Sequence, residues 1–198
     1  MYIMKKLLTF FAITSLLTMN AQKIRNEDFG FLRGEKELNI EFDYSDVIFK
    51  FNGDDGIPES KYVERQLISE GEEWKEMWEV FKEELKSGIK HPNFIREFNL
   101  SLFDKGCMLR GGNFENANYT LLIKIKTMCT AKTGFIAIDD PYIECSVTFK
   151  DNTSNNTISQ IQIGRTNGKP YYSYYQQFES VYENIGKDLG KSIAKNIK

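Results

Sequence analysis

The chain has 198 residues, a formal net charge of −2 at neutral pH and a hydrophobic share of 41%. A chain of this length and composition can bury one core, so a single domain is the economical interpretation. The mildly acidic balance argues against a dedicated nucleic-acid-binding protein, which would be expected to present a basic face.

The amino-terminal segment has the pattern of an export signal. Lys5 and Lys6 precede an apolar run, Leu7–Leu17, of 11 residues, which is too short for the roughly 20 that a membrane-spanning helix needs. Ala21 is the expected last residue before cleavage. We therefore predict a signal peptide at residues 1–21 and an exported protein, located in the periplasm, at the outer membrane or outside the cell. A retained amino-terminal anchor is the alternative.

After an N-terminal segment at 22–36, a single domain is predicted to span 37–198. It opens with the stretch "ELNIEFDYS", in which apolar and polar residues alternate. A period of two predicts a half-buried strand. The apolar set is Leu38, Ile40, Phe42 and Tyr44, and the polar set is Asn39, Glu41 and Asp43.

Two amphipathic helices are predicted next. Ser69 and Glu72 form a capping-box pattern, which predicts that the first helix begins at Ser69. Pro92 is expected to open a second, shorter helix. The predicted buried faces are Trp74, Trp78, Phe81 and Leu85 in the first helix, and Phe94, Ile95 and Phe98 in the second.

Alternation returns in the middle of the chain. Residues 119–127 and the stretch "YIECSVTF" each have one apolar and one polar face, and 135–138 and 158–164 supply further strands. A strand with one buried face and one solvent-exposed face is typical of an antiparallel sheet that is covered on a single side. The predicted fold class is therefore α+β: a two-layer domain with an antiparallel sheet of about five strands, helices packed on one face and a closing C-terminal helix.

The closing helix is predicted from about Tyr174 to Ile197, with Gly186 and Gly190 in its interior. Each glycine costs about 1 kcal/mol there relative to alanine. A stripe of small side chains would allow the helix backbone to approach the sheet closely and so offset that cost. A peripheral contact of this helix with a membrane, through Lys187, Lys191 and Lys195, is the alternative.

Six stretches together carry a resemblance: "ELNIEFDYS", "YVERQ", "EEWKEMWEVFKEEL", "FIREFN", "NANYTLLIKIKT" and "YENIGKDLGKSI". In these the chain resembles an uncharacterised family of exported proteins from Gram-negative bacteria, across nearly the whole mature chain. The order of elements is similar to small α+β envelope domains such as the amino-terminal domain of TolB. The resemblance brings no established activity.

Motifs for catalysis or metal binding are not found. His91 is the single histidine, and "KHPN" favours a turn between two helices over a nucleophile–base pair. Cys107, Cys129 and Cys145 match no zinc or redox spacing, so no metal and no cofactor are predicted. The favoured interpretation is that all three thiols are reduced and structural. The alternative is that two of the cysteines form one disulfide.

Two groups of residues are candidates for function. Tyr171, Tyr172, Tyr174 and Tyr175 cannot all face the core, so one or two rings should be exposed and available for contact. This favours a non-enzymatic envelope protein that binds a protein partner or another envelope component, through these tyrosines or through the open face of the sheet. The alternative is a hydrolase of envelope glycans or peptides, in which Glu41, Asp43 and Asp46 would act as acid and base.

Overall fold

The computed structural model describes residues 28–50, 56–57, 59–86, 91–131, 139–171 and 174–197. The predicted export signal and the predicted strand at 135–138 lie outside these ranges. The strands are β1 (Glu37–Asp43), β2 (Ile48–Lys50), β3 (Gly56–Ile57), β4 (Arg110–Gly112), β5 (Tyr119–Cys129), β6 (Tyr142–Asp151) and β7 (Thr157–Asn167). The α-helices are α1 (Glu59–Glu70), α2 (Glu72–Lys86), α3 (Pro92–Phe103) and α4 (Tyr174–Asn196), preceded by a 3-10 turn at Gly30–Leu32.

Strand β5 lies at the centre of a mixed sheet. On one side it pairs antiparallel with β6, which in turn pairs antiparallel with β7. On the other side β1 and β2 follow each other along the same edge of β5, both parallel to it, with Asn39 opposite Thr120 and Ile48 opposite Thr127. The short strands β4 and β3 extend the sheet next to β1 and β2.

The α+β class and the closing helix are confirmed. The described residues form a sheet of seven strands and not about five, and the prediction of a purely antiparallel sheet is wrong for one half of it. The chain leaves β2 and passes through α1, α2 and α3 before it returns in β4 and β5. A connection of this length can bring a strand back parallel to the one it left, whereas a tight hairpin cannot. The alternation within each strand indicates which face is buried and does not specify the direction of the neighbouring strand.

The helices cover one face of the sheet, where the predicted inward side chains form the core. Phe49 of β2 lies beside Met128, which is itself opposite Ile143, so the core continues across three strands. The predicted N-terminal segment adds Phe29 and Leu32 to the same cluster. The opposite face is polar and includes Glu41, Asp43, Lys124, Lys126 and Gln162.

Helices α1 and α2 form a hairpin around an aromatic cluster. Trp74 and Trp78 are buried as predicted, with their rings 5.3 Å apart, and Trp78 lies 4.8 Å from the ring of Phe49. The side chains of Phe81 and Leu85 lie outside the described residues. The capping box at Ser69 is wrong: Ser69 lies in the last turn of α1, and its hydroxyl donates to the carbonyl of Gln66. Gly71, at φ +85°, separates the two helices.

The prediction that the interior glycines of α4 face the sheet is wrong, because they face helix α3. A Cβ at Gly186 would lie 2.5 Å from the carbonyl oxygen of Phe94, and one at Gly190 would lie 2.5 Å from that of Phe98. From the first contact to the second, the position rises by four residues on both helices, so α3 and α4 run parallel. The small stripe therefore allows two helix backbones to touch, and their contact offsets the cost of glycine in a helix.

Candidate functional site

The tyrosine-rich start of α4 presents two rings at the surface. Tyr171 is 40% exposed and Tyr175 is 44% exposed. Tyr172 and the side chain of Tyr174 lie outside the described residues. We call the pair Tyr171 and Tyr175 the tyrosine patch.

The chain that carries Tyr171 is fastened to the first turns of α4. The Lys169 amide donates to the Ser180 hydroxyl at 2.7 Å, and the buried Gln177 side chain donates to the carbonyl of Tyr171. Gly168 makes this close approach possible, since a Cβ there would lie 2.4 Å from Ser180 Oγ. Because the backbone is held in this way, little conformational entropy remains to be lost there when a partner binds.

The predicted carboxylates lie at the end of β1 and just beyond it. Lys124 Nζ is 2.6 Å from Asp46 Oδ2 and 3.7 Å from Asp43 Oδ2, while Glu41 accepts from Asn39 Nδ2 at 2.8 Å. The pKa of Asp43 is lowered, chiefly because the Ser45 backbone amide donates to its carboxylate. The pKa of Asp46 is lowered by its hydrogen bond and charge interaction with Lys124. Two carboxyls that stay ionised suit an ion-pair cluster better than a general acid.

A buried polar cluster on the helix side was not predicted as a unit. His91, at the N-terminal cap of α3, stacks on Tyr182 of α4 with ring centroids 3.9 Å apart. Its Nδ1 lies 3.3 Å from Glu179 Oε1, and its Nε2 contacts the hydroxyl of Tyr44, which lies 2.8 Å from the hydroxyl of Tyr182. We call these four residues the histidine cluster; it joins the end of β1 to α3 and α4.

The hydrogen bonds of the histidine cluster can be satisfied together. One assignment satisfies all three contacts: His91 Nδ1–H donates to the Glu179 carboxylate, Nε2 accepts from Tyr44, and Tyr44 accepts from Tyr182. Burial raises the pKa of Tyr44 and of Tyr182. Both hydroxyls therefore stay neutral near pH 7 and are not poised as nucleophiles.

One signal in the sequence could have indicated this cluster. Glu179 stands inside the apolar stretch "FESVY", on the same side of α4 as the buried residues Phe178 and Tyr182. A buried carboxylate requires a partner, and the single histidine of the chain is a suitable one. Glu179 Oε2 itself has no hydrogen-bond partner among the described residues.

A metal site and a membrane span each have structural requirements against which the described ranges can be compared. Within the described ranges, no group of three or more His, Cys, Asp or Glu side chains is placed to hold a metal ion. No helix in that part of the chain is long and apolar enough to cross a bilayer. Cys107, Cys129 and Cys145 all lie in the described ranges and form no disulfide there, and burial raises the pKa of Cys145 to about 12.

Comparison with known proteins gives distant structural likenesses. No protein-family model and no curated protein matches the chain. A dodecamer of PelC from Paraburkholderia phytofirmans is 12% identical, covers 85% of this chain and 92% of that one, and has a TM-score of 0.42. A DUF330 protein from Xanthomonas campestris is 10% identical, covers 78% of this chain and 81% of that one, and scores 0.35.

A third solved structure is described as a neuraminyllactose-binding hemagglutinin homologue from Helicobacter pylori. It is 12% identical, covers 88% of this chain and 87% of that one, and has a TM-score of 0.30. All three are bacterial proteins, and none of them supports the likeness to TolB. At these scores we transfer no function from them to this chain.

Proposed function

We propose that this chain is a non-enzymatic binding protein of the bacterial cell envelope, and that it holds a partner through the tyrosine patch. The export signal predicted at residues 1–21 supports the location. The observation that carries the binding role is the pair of exposed tyrosine rings on a backbone fastened by Ser180 and Gln177. Rigid, amphipathic aromatic side chains are the ones that contribute most to binding at protein interfaces.

The test uses the mature chain, residues 22–198, as bait in a detergent-solubilised envelope fraction. The double variant Tyr171→Ala/Tyr175→Ala is expected to lose about 90% or more of the captured partner, since two central aromatic residues each contribute more than about 1 kcal/mol. Ile158→Ala, at a similarly exposed position on β7, is the matched control and should capture as much as the unaltered chain. Equal capture by the double variant and the control would contradict the proposal.

A third variant tests whether the hydrogen bonds that hold the segment carrying Tyr171 contribute to binding, while both tyrosine rings are kept. Ser180→Ala removes the hydroxyl that accepts from the Lys169 amide and donates to the Gln177 carbonyl, but keeps both tyrosines. We expect weaker capture, because the segment carrying Tyr171 would have to be ordered when the partner binds.

The hydrolase alternative stays a prediction. Its residues Glu41, Asp43 and Asp46 are tied to Asn39 and Lys124 by the contacts described above, and this geometry favours the ion-pair cluster. Release of sugars or peptides from envelope material by the unaltered chain, lost in Glu41→Gln, would establish it.

A further inference from the structure

The outer side of the α1–α2 hairpin is apolar and acidic. Ile68, Met77 and Val80 point away from the aromatic cluster, and each is more than half exposed. Glu73 stands one helical turn before Met77, and Glu76 one turn before Val80, so both acids share that side of α2. We call the four α2 residues Glu73, Glu76, Met77 and Val80 the acidic surface.

The charge of this hairpin differs from that of the remaining chain. Residues 59–86 contain nine glutamates against four lysines and one arginine, a balance of −4, while the other residues of the mature chain, 22–198, balance to zero. Lys82 forms ion pairs inside the hairpin, with Glu59 and Glu79. The hairpin therefore has an uncompensated negative charge beside its exposed apolar side chains.

A second apolar surface, at the end of α3, has the opposite charge. Phe103 is 76% exposed and Met108 is 83% exposed, in the turn that leads from α3 to β4. Lys105 lies between them, and Lys195 stands in the last turn of the parallel helix α4. Asp104 offsets only part of this charge. We call Phe103, Lys105, Met108 and Lys195 the basic end.

The two surfaces lie at opposite ends of the sheet. Next to the α1–α2 hairpin is β2, which pairs with the last residues of β5, Thr127–Cys129. The basic end adjoins β4, and β4 joins the part of β1 that pairs with the first residues of β5. Strand β5 has 11 residues, so about 35 Å separates these ends, and the two surfaces of one chain do not meet.

We propose that copies of this chain associate head to tail, with the acidic surface of one copy seated on the basic end of the next. The opposite charges and the exposed apolar side chains on both sides make a second copy the matching occupant for each surface. An interface between two different patches is heterologous, so it leaves one patch of each kind free and the assembly extends to a ring or a chain. The proposal uses neither ring of the tyrosine patch and goes beyond the binding role.

The test measures association by sedimentation velocity of the mature chain over roughly 1 to 200 µM, the range that reveals interfaces of modest affinity. Met77→Ser/Val80→Ser alters only the acidic surface, and Phe103→Ser/Met108→Ser alters only the basic end. Each double variant alone is expected to raise the dissociation constant at least about tenfold, because it removes two interface side chains. Ile158→Ser, on the edge strand β7, is the control and should associate like the unaltered chain.

Mixing the two double variants distinguishes this arrangement from a symmetric dimer. The first variant keeps an intact basic end and the second keeps an intact acidic surface, so an equimolar mixture should form a 1:1 complex that grows no further. High salt should weaken that complex by screening its charges. A monomeric unaltered chain across the whole range, a mixture that fails to pair, or equal loss of association in the control would overturn the proposal.

Discussion

At the scale of single residues, the histidine cluster shows how polar groups become tolerable in the core. His91 and Glu179 are almost fully buried, and each would be costly there alone. Tyr44 connects them to Tyr182 through its hydroxyl, which contacts both His91 Nε2 and the Tyr182 hydroxyl. The stability of the site therefore depends on a residue that, in sequence, is only the last apolar position of the first strand.

Removing the Tyr44 hydroxyl should destabilise the protein. Tyr44→Phe keeps the ring but leaves His91 Nε2 and the Tyr182 hydroxyl without their contact to the Tyr44 hydroxyl, so we expect a loss of about 1–3 kcal/mol in the free energy of unfolding. Urea unfolding followed by tryptophan fluorescence measures it. Tyr171→Phe, which removes an exposed hydroxyl, is the control and should change the free energy by less than about 0.5 kcal/mol. Equal stability of the two variants would show that the buried contacts contribute nothing.

At the scale of elements, the contact between α3 and α4 depends on the absence of side chains. Gly186 and Gly190 face the carbonyl oxygens of Phe94 and Phe98, so the two helices touch through their backbones. The same end of α3 is joined to the sheet by Asn99, whose side-chain amide accepts from the Gly111 amide and donates to its carbonyl. Two helices and an edge strand are thereby held in one arrangement.

Adding one methyl group at this contact should separate the helices. Gly186→Ala gains about 1 kcal/mol in helix propensity, but its Cβ would lie far inside contact distance of a backbone oxygen, which has no rotamer to move away. We expect a net loss of about 1–3 kcal/mol, the usual cost of overpacking. Lys191→Ala, at an exposed position of the same helix, is the matched control and should change stability by less than about 0.5 kcal/mol. A more stable Gly186→Ala protein would contradict the close contact.

At the scale of the whole molecule, several buried acids of high pKa make the fold sensitive to alkali. Burial raises the pKa of Cys145 from an ordinary 9.0 to about 12, and it also raises the pKa of Tyr44 and Tyr182 above their ordinary 10.0. The folded chain therefore holds these protons at a pH where the unfolded chain has released them. Their contribution to stability is complete below about pH 9 and is lost as the pH rises towards the folded-state values.

We expect the free energy of unfolding to fall steeply between pH 9 and 12. For each proton that only the folded state holds, the free energy of unfolding falls by about 1.4 kcal/mol per pH unit. The three groups together therefore lower it by up to about 4 kcal/mol per unit near the top of this range. Urea unfolding at about pH 8, 10 and 11 measures the slope. In Cys145→Ala the early part of the decline, from about pH 9, should disappear. Constant stability from pH 8 to 11 would refute the assignment.

Much of the fold could be predicted from the sequence because its signals are local. Alternation in "ELNIEFDYS" identifies the inward set of β1, and the spacing of Trp74 and Trp78 identifies the buried side of α2. Tyrosines crowded at the start of α4 indicate exposed rings, and Tyr171 and Tyr175 are exposed. Each of these conclusions needs only the period of one element and the preference of apolar groups for the interior.

What only the tertiary structure decided is which elements meet. Period two is the same for parallel and antiparallel neighbours, so the parallel half of the sheet follows from the path of the chain through α1–α3. A stripe of glycines indicates a close approach but not whether a sheet or a helix approaches. The histidine cluster brings together residues from the end of β1, the start of α3 and the first turns of α4. These residues lie up to 138 positions apart in the chain. Sequence periodicity determines the face that each element buries, because that depends on local geometry; tertiary packing determines the neighbour, because that depends on how all the buried faces fit together.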